Sequence, residues 1–144
     1  MQTQNYSNHR RLVPMFHIVL FFIIIVTLIG SCVNLYKSIG DHQRLYSAAL
    51  LVAVNVSLVL IFFFVRIFPL KAQDRAIRAE ENLRHFILTG KPLDPRLTIR
   101  QIIGLRFASD QEFPALAQKA ADEGLSEDTI KRAVTNWRDD YYRV

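Results

Sequence analysis

Histidine, cysteine and carboxylate side chains carry much of the catalytic and metal-binding chemistry of proteins, and in this 144-residue chain they are scattered. No two histidines share the four-residue spacing of a helical metal site; they are His9, His17, His42 and His85. There is no phosphate-binding glycine loop, nucleotide-binding glycine cluster or nucleophile elbow. Asp139 and Asp140 lie in a charged tail without evident further ligands. The sequence therefore predicts no catalytic residue, metal ligand or cofactor, and no enzyme activity.

Cys32 is the only cysteine, which excludes an intrachain disulfide and a multi-thiolate metal site. Arg10-Arg11, a long apolar run and then Cys32 resemble a lipoprotein signal that ends in its lipid-modified cysteine. A second apolar run follows within a dozen residues, and a secretory apolar region is usually shorter, about 7–15 residues. We favour a small residue in a helix contact and leave lipidation of Cys32 open.

The charge distribution argues against a nucleic-acid partner. The formal net charge is +5, and about +4 of it belongs to the first 69 residues, which have five basic residues against Asp41 alone. The remainder is nearly balanced, whereas nucleic-acid binding needs a basic patch on the domain that docks. The basic residues of the first half instead flank long apolar stretches.

Two stretches carry no Asp, Glu, Lys or Arg, namely Leu12–Tyr36 and Leu45–Val65. Each reaches the roughly 20 residues with which a helix crosses about 30 Å of hydrocarbon. The connection contains Gly40-Asp41, a turn signal, and is short enough to force antiparallel neighbours. We predict an all-α fold in which a transmembrane helical hairpin precedes a small cytoplasmic bundle of three to four helices. The predicted divisions are a cytoplasmic N-terminal segment (1–11), transmembrane helix 1 (12–36), a periplasmic loop (37–44), transmembrane helix 2 (45–68) and a cytoplasmic helical domain (69–144).

Basic residues set the predicted orientation. The two outer flanks of the spans hold six, namely Arg10, Arg11, Arg66, Lys71, Arg75 and Arg78, whereas the loop between the spans holds only Lys37 and Arg44. Lys and Arg concentrate on the cytoplasmic side of membrane proteins. We therefore expect a multi-pass protein of the inner membrane with both termini in the cytoplasm.

Small and polar residues predict where the two spans pack, because apolar helices in lipid gain little from touching unless they approach closely or share polar contacts. The predicted interface joins two stripes: Thr27, Gly30, Ser31 and Asn34 on the first span, and Ala49, Ala53 and Ser57 on the second. Asn55 lies about 200° around the helix from Ala53. Either it makes a hydrogen bond within the chain, or it contacts another chain.

The second half predicts several short helices. Residues 70–89 form the first, with an inward face of Ala72, Ala76, Ala79, Leu83, Phe86 and Ile87. Thr98 with Gln101 has the spacing of a capping box, Ser109 with Glu112 repeats it, and Ser126 caps a last helix. That helix carries Ile130, Val134, Trp137 and Tyr141 on one face. Residues 70–106 are net basic and 107–144 net acidic, so the basic part either binds anionic headgroups or is an ordinary solvated surface.

Four segments resemble an uncharacterised family of small bacterial membrane proteins, a domain of unknown function. They are residues 4–9, 74–85, 93–102 and 137–144. The resemblance implies a bacterial inner-membrane protein with two spans, and it brings no activity, cofactor or catalytic residue.

We expect a non-enzymatic accessory or scaffold protein that binds a membrane or cytoplasmic protein through its helical domain. The formation of a homo-oligomer is also left open. The candidate contact residues are Asn55, Arg75, Arg78, Arg84, Trp137, Tyr141 and Tyr142. One alternative is a small subunit of a transporter or respiratory complex. Another is a membrane-surface enzyme, which would need a pocket with convergent polar groups.

Overall fold

A computed structural model describes residues 4–9 and 12–140. Within these ranges the chain is all-helical, as predicted, and contains no strand. A π-helical turn, Met15–Leu20, leads directly into α1, Phe21–Lys37. The other helices are α2 (His42–Thr89), α3 (Ile99–Leu105), α4 (Phe113–Glu123) and α5 (Glu127–Ala133).

The chain divides into two compact units. One, here called the apolar unit, is Arg11–Phe68. The other, here called the helical domain, combines Met1–Arg10 with Pro69–Val144. Helix α2 contributes to both, because it passes through Pro69 and ends only at Thr89.

The apolar unit contains two helical stretches long and apolar enough to cross a membrane, Met15–Lys37 and the first part of α2. A short turn joins them. The Ser38 hydroxyl donates to the Asn34 carbonyl oxygen (2.8 Å) at the end of α1. Gly40 has φ +100°, which favours glycine. The Asp41 carboxylate accepts from the backbone N–H groups of Gln43 and Arg44, and so caps the start of α2.

Local capping signals position the short helices of the helical domain. Thr98 and Gln101 form the predicted capping box at the start of α3. The Ser126 hydroxyl accepts from the Thr129 N–H at the start of α5, also as predicted. Helix α4 ends at Gly124, whose φ of +62° is left-handed. The Ser109–Glu112 pair forms a turn before α4, which begins at Phe113 rather than at Ser109.

The core of the helical domain lies between α3, α4 and α5. Its buried apolar side chains include Leu97, Ile102, Leu105, Phe113 and Ile130. Helix α5 is shorter than predicted, since Val134 is already extended. Trp137 follows in an extended segment that forms an antiparallel bridge with Ala108 and packs on the core.

The predicted inward face of residues 70–89 is wrong. Helix α2 packs on the domain through Ile77 and Glu81, which are buried. The predicted inward residues are exposed: Ala72, Ala76, Ala79, Leu83, Phe86 and Ile87. The physical reason is that polar side chains of α2 outside this strip satisfy backbone groups of the domain. The Asn82 amide oxygen accepts from the Leu93 N–H (2.9 Å), and Arg78 donates to the Leu97 carbonyl oxygen (3.1 Å).

Candidate functional site

A buried ion pair of α2 lies where this helix meets the rest of the helical domain, and its arginine also binds residues outside the helix. The Arg84 guanidinium donates to the Glu81 carboxylate (2.9 Å) and to the Ala108 carbonyl oxygen (2.7 Å). It also contacts the Asp110 carboxylate (2.6 Å) and lies over the Phe113 ring, 4.4 Å from its centroid. The side chains of Glu81 and Arg84 are only 6% and 11% exposed. Arg84 therefore acts as a structural cross-link here.

Of the two carboxylates that bind Arg84, Glu81 is buried, whereas Asp110 is largely exposed. Burial raises its pKa above the ordinary value of 4.5, and the hydrogen bond and charge of Arg84 oppose that rise. Arg138 is a second, longer partner at 3.5 Å. The network could have been suspected from the three-residue spacing of Glu81 and Arg84, but both lie outside the inward face that the sequence predicted.

A cavity of about 310 Å³ adjoins this ion pair. Its lining residues are Gln73, Ala76, Ile77, Glu80, Glu81, Arg106, Arg138, Asp139 and Asp140. Charged groups of its wall pair with one another, since Arg138 contacts Glu81 and Arg106 contacts Asp140 (3.2 Å). The lining contains no serine, cysteine or histidine. These contacts form structural ion pairs in the wall of the cavity.

The N-terminal residues dock on the far end of the chain, which the sequence interpretation missed. The Gln4 backbone N–H donates to the Asp139 carboxylate (2.8 Å), and its side-chain amide exchanges hydrogen bonds with the backbone of Asp140. The Tyr6 hydroxyl donates to Asp128 and accepts from Arg132 (3.0 Å). These contacts between residues 4–6 and residues 128–140 are here called the clasp.

His9 completes this contact. Its ring lies 5.8 Å from both the Phe107 and the Trp137 rings and is buried. Its Nδ1 lies 2.7 Å from the Tyr6 carbonyl oxygen. Phe107 is fully buried and lies 4.9 Å from Trp137. His9 is therefore part of an aromatic core cluster, and Trp137, one of the candidate contact residues, serves the same cluster.

Buried positions in the apolar unit recur at seven-residue steps, at Ile24, Ser31 and Ser38 and again at Ala48 and Asn55. Partly buried residues lie at the intervening three- and four-residue steps, namely Leu28, Leu35, Leu45, Val52, Val59 and Phe62. This period of 3.5 residues is that of helices packed side by side as in a coiled coil. The Phe16 ring stacks on the Phe62 ring, 4.8 Å between centroids.

The predicted stripes differ from these buried positions. Only Ser31 among them is buried; Thr27, Gly30, Asn34, Ala49, Ala53 and Ser57 are exposed. The row of Ala49, Ala53 and Ser57, at constant four-residue steps, turns about 40° per step, so it does not keep facing a nearly parallel neighbour. The hydroxyl groups of the stripes also bind their own helices, as when the Ser57 hydroxyl donates to the Ala53 carbonyl oxygen (2.9 Å).

Asn55 lies on the buried side of α2, not away from it. Its amide nitrogen donates to the Leu51 carbonyl oxygen (2.9 Å), and the residue is 9% exposed. Of the two interpretations left open, the structure displays the hydrogen bond within the chain. That bond meets the need of an amide for a partner in an apolar environment.

Among the remaining candidates, Arg78 and Arg84 are used inside the helical domain. Arg75 is exposed and makes no ion pair or hydrogen bond with the described part of the chain. Tyr141 and Tyr142 lie outside the described residues. Within residues 4–9 and 12–140, no group of three histidine, cysteine or acidic side chains is placed to hold a metal ion.

Apart from Leu88, the exposed apolar residues of α2 after Pro69 form one continuous strip, here called the outer face. It consists of Ala72, Ala76, Ala79, Leu83 and Phe86, with Ile87 at its edge. At 100° per residue these positions lie opposite Ile77 and Glu81, which pack on the domain. Leu83 and Ile87 are 59% and 72% exposed. The helical domain therefore presents an apolar surface that none of its described residues covers.

Comparison with known proteins agrees with the sequence resemblance. A protein family described as a family of unknown function (DUF6526) matches residues 1–144. The chain belongs to this family. No curated protein and no solved structure matches it. The family membership confirms the resemblance to an uncharacterised family and adds no activity.

Proposed function

We propose that this chain is a non-enzymatic integral membrane protein, an accessory or scaffold protein whose helical domain binds a protein partner. The observation that carries the membrane assignment is the exposure of the apolar unit. A core helix of a soluble protein would be mostly buried, whereas only 11% of each apolar window is buried here. Phe22 and Val26 are 61% and 64% exposed. Lipid is the solvent that such a surface fits.

The docked N-terminal segment supports the proposed topology. Gln4 and Asp140 are hydrogen-bonded within one compact unit, although both apolar stretches lie between them in the chain. A chain returns to the side it left only after an even number of crossings. We therefore propose a transmembrane hairpin with a periplasmic turn at residues 38–41. The basic flanks favour a cytoplasmic helical domain, and the resemblance favours a bacterial inner membrane.

A topology experiment tests this arrangement. A periplasm-active reporter fused after Val144 of the full chain is expected to be inactive. The matched control is the same reporter fused to a chain that ends at Gly40, where activity is expected. Activity at Val144 would overturn the proposed orientation. Release of the full chain from membranes at alkaline pH would overturn the membrane assignment itself.

The partner-binding role rests on the outer face, since large uncovered apolar surfaces mark interaction sites. The experiment is chemical cross-linking of the full chain in its native membrane, followed by mass spectrometry of the covalent adducts. We expect a discrete adduct with either a second copy or another protein. The matched variant Leu83→Glu places a charge on the outer face and should abolish that adduct. Absence of any adduct in the unaltered protein would contradict the scaffold role.

A further inference from the structure

The outer face has the spacing of a coiled-coil seam. Ala72, Ala76, Ala79, Leu83 and Phe86 follow one another at steps of four, three, four and three residues. This alternation keeps side chains facing a single neighbouring helix over several turns. The strip begins with three alanines and ends with two large apolar residues. Alanines let two helix backbones approach closely, and the larger residues supply most of the apolar area.

Two charged residues flank the outer face on opposite sides. At 100° per residue, Arg75 lies about 65° to one side of the strip and Glu80 about 75° to the other. Both are exposed, and neither forms an ion pair with the described part of the chain. Their separation of five residues is the spacing at which flanking charges of two parallel helices meet.

We propose that the outer face is a self-association seam, on which a second copy of this chain packs in parallel with Arg75 against Glu80 of that copy. Two-fold symmetry forms this pair twice. The antiparallel arrangement centred on Ala79 would instead bring Glu80 near Glu80 of the second copy, a repulsive contact. The proposal deepens the proposed function and rests on it, because two copies anchored in one membrane present the face in the same direction.

Charge and composition disfavour a lipid surface as the occupant. A helix that lies on anionic headgroups carries basic residues on its flanks, whereas Glu80 would be repelled there. The alanines at the beginning of the strip contribute little apolar area to insertion into lipid. A second copy supplies both the matching apolar strip and the opposite charge for each flank.

Disulfide cross-linking in vesicles tests the arrangement. In a Cys32→Ser background, Ala76→Cys and Leu83→Cys are expected to form linked dimers at least about tenfold faster than Lys71→Cys, an exposed position of α2 off the face. Fast formation of linked dimers by each variant by itself supports the parallel seam. Linking only when the two variants are mixed, or no faster than the Lys71→Cys control, overturns it.

Charge reversal provides a second measurement. Arg75→Glu or Glu80→Arg should each weaken self-association about tenfold, measured by energy transfer between labelled full chains in vesicles, because each removes two pairs and creates repulsion. The double variant Arg75→Glu/Glu80→Arg should restore affinity to within about threefold. If the double variant instead loses as much affinity as the two single variants combined, the pairing of Arg75 with Glu80 is overturned. If chemical cross-linking in the native membrane gives adducts with other proteins but none with a second copy, the seam is overturned and the proposed function stands. If alkaline pH releases the chain from membranes, the proposed function itself is overturned.

Discussion

Replacing Arg84 with methionine tests the buried ion pair most directly. The change keeps much of the volume but leaves the enclosed Glu81 carboxylate with Arg138 alone, at 3.5 Å. It also removes the donor that satisfies the Ala108 carbonyl oxygen. The lost contact with Asp110 adds little, because that side chain is 67% exposed. Removing one partner of a buried pair costs about 3–5 kcal/mol, and we expect Arg84→Met to destabilise the helical domain by that amount.

Urea titration of the full chain in a mild detergent measures this loss. Trp137, the only tryptophan, packs on the core and reports on the helical domain through its fluorescence. The matched control is Arg96→Met. Arg96 also bridges two acids, Asp94 and Asp122, but it is 57% exposed, so the midpoint of the titration should barely move. Equal midpoint changes for the two variants would refute the assignment of Arg84 as a structural cross-link.

The same network gives a pH dependence with a defined sign. Burial raises the pKa of Glu81, so the folded domain holds this proton more tightly than the unfolded chain does. The resulting stabilisation is fully present below about pH 4.5 and is lost as the pH rises through the folded pKa. The difference in stability between the wild-type protein and Glu81→Gln should therefore shift against the wild type as the pH rises. A shift in the opposite direction would contradict the raised pKa.

Three further changes probe other parts of the structure. Asn55→Leu should leave the assembly size in light scattering unchanged, because its amide donates within the chain to Leu51; a smaller assembly would restore the partner role. Gly104→Ala should destabilise the domain by about 1–3 kcal/mol in urea, since a Cβ there would lie 3.1 Å from the Glu127 carbonyl oxygen and 3.2 Å from Ile130; an unchanged midpoint would contradict the close contact. His9→Ala should shift Trp137 emission to the red, because the ring covers that indole; unchanged emission would argue against docking of the N-terminal segment.

Local signals predicted the helix boundaries that depend on neighbouring residues. Thr98 and Ser126 act as caps because a side-chain oxygen reaches an N–H group only three residues away. The apolar runs were equally readable, since hydropathy over a long window does not depend on tertiary contacts. Glu112 marks the limit of such reasoning, because its carboxylate binds Thr135 and Asn136, which lie far ahead in the sequence.

The orientation of α2 was not predictable from periodicity. Its apolar strip suggested an inward face, but Asn82 and Arg84, which lie outside the strip, satisfy the Leu93 N–H and the Ala108 carbonyl oxygen. Backbone N–H and carbonyl groups in turns need hydrogen-bond partners, but the sequence of α2 does not reveal which distant groups its side chains will bind. Asn55 was predicted to point away from the packed side for a related reason. The small residues Ala49, Ala53 and Ser57 suggested that the packed side follows a row of four-residue steps, whereas the buried residues follow a 3.5-residue period.

The clasp between the two ends of the chain has a consequence for synthesis. Gln4 leaves the ribosome 136 residues before its hydrogen-bond partner Asp140. Contacts between such distant residues form late, because the intervening chain must be ordered first. The clasp therefore closes only after residues 4–140 have all been made, so residues 4–6 wait without these partners during translation. Cleavage or capture of that segment before completion would leave the aromatic cluster around Phe107 without its cover.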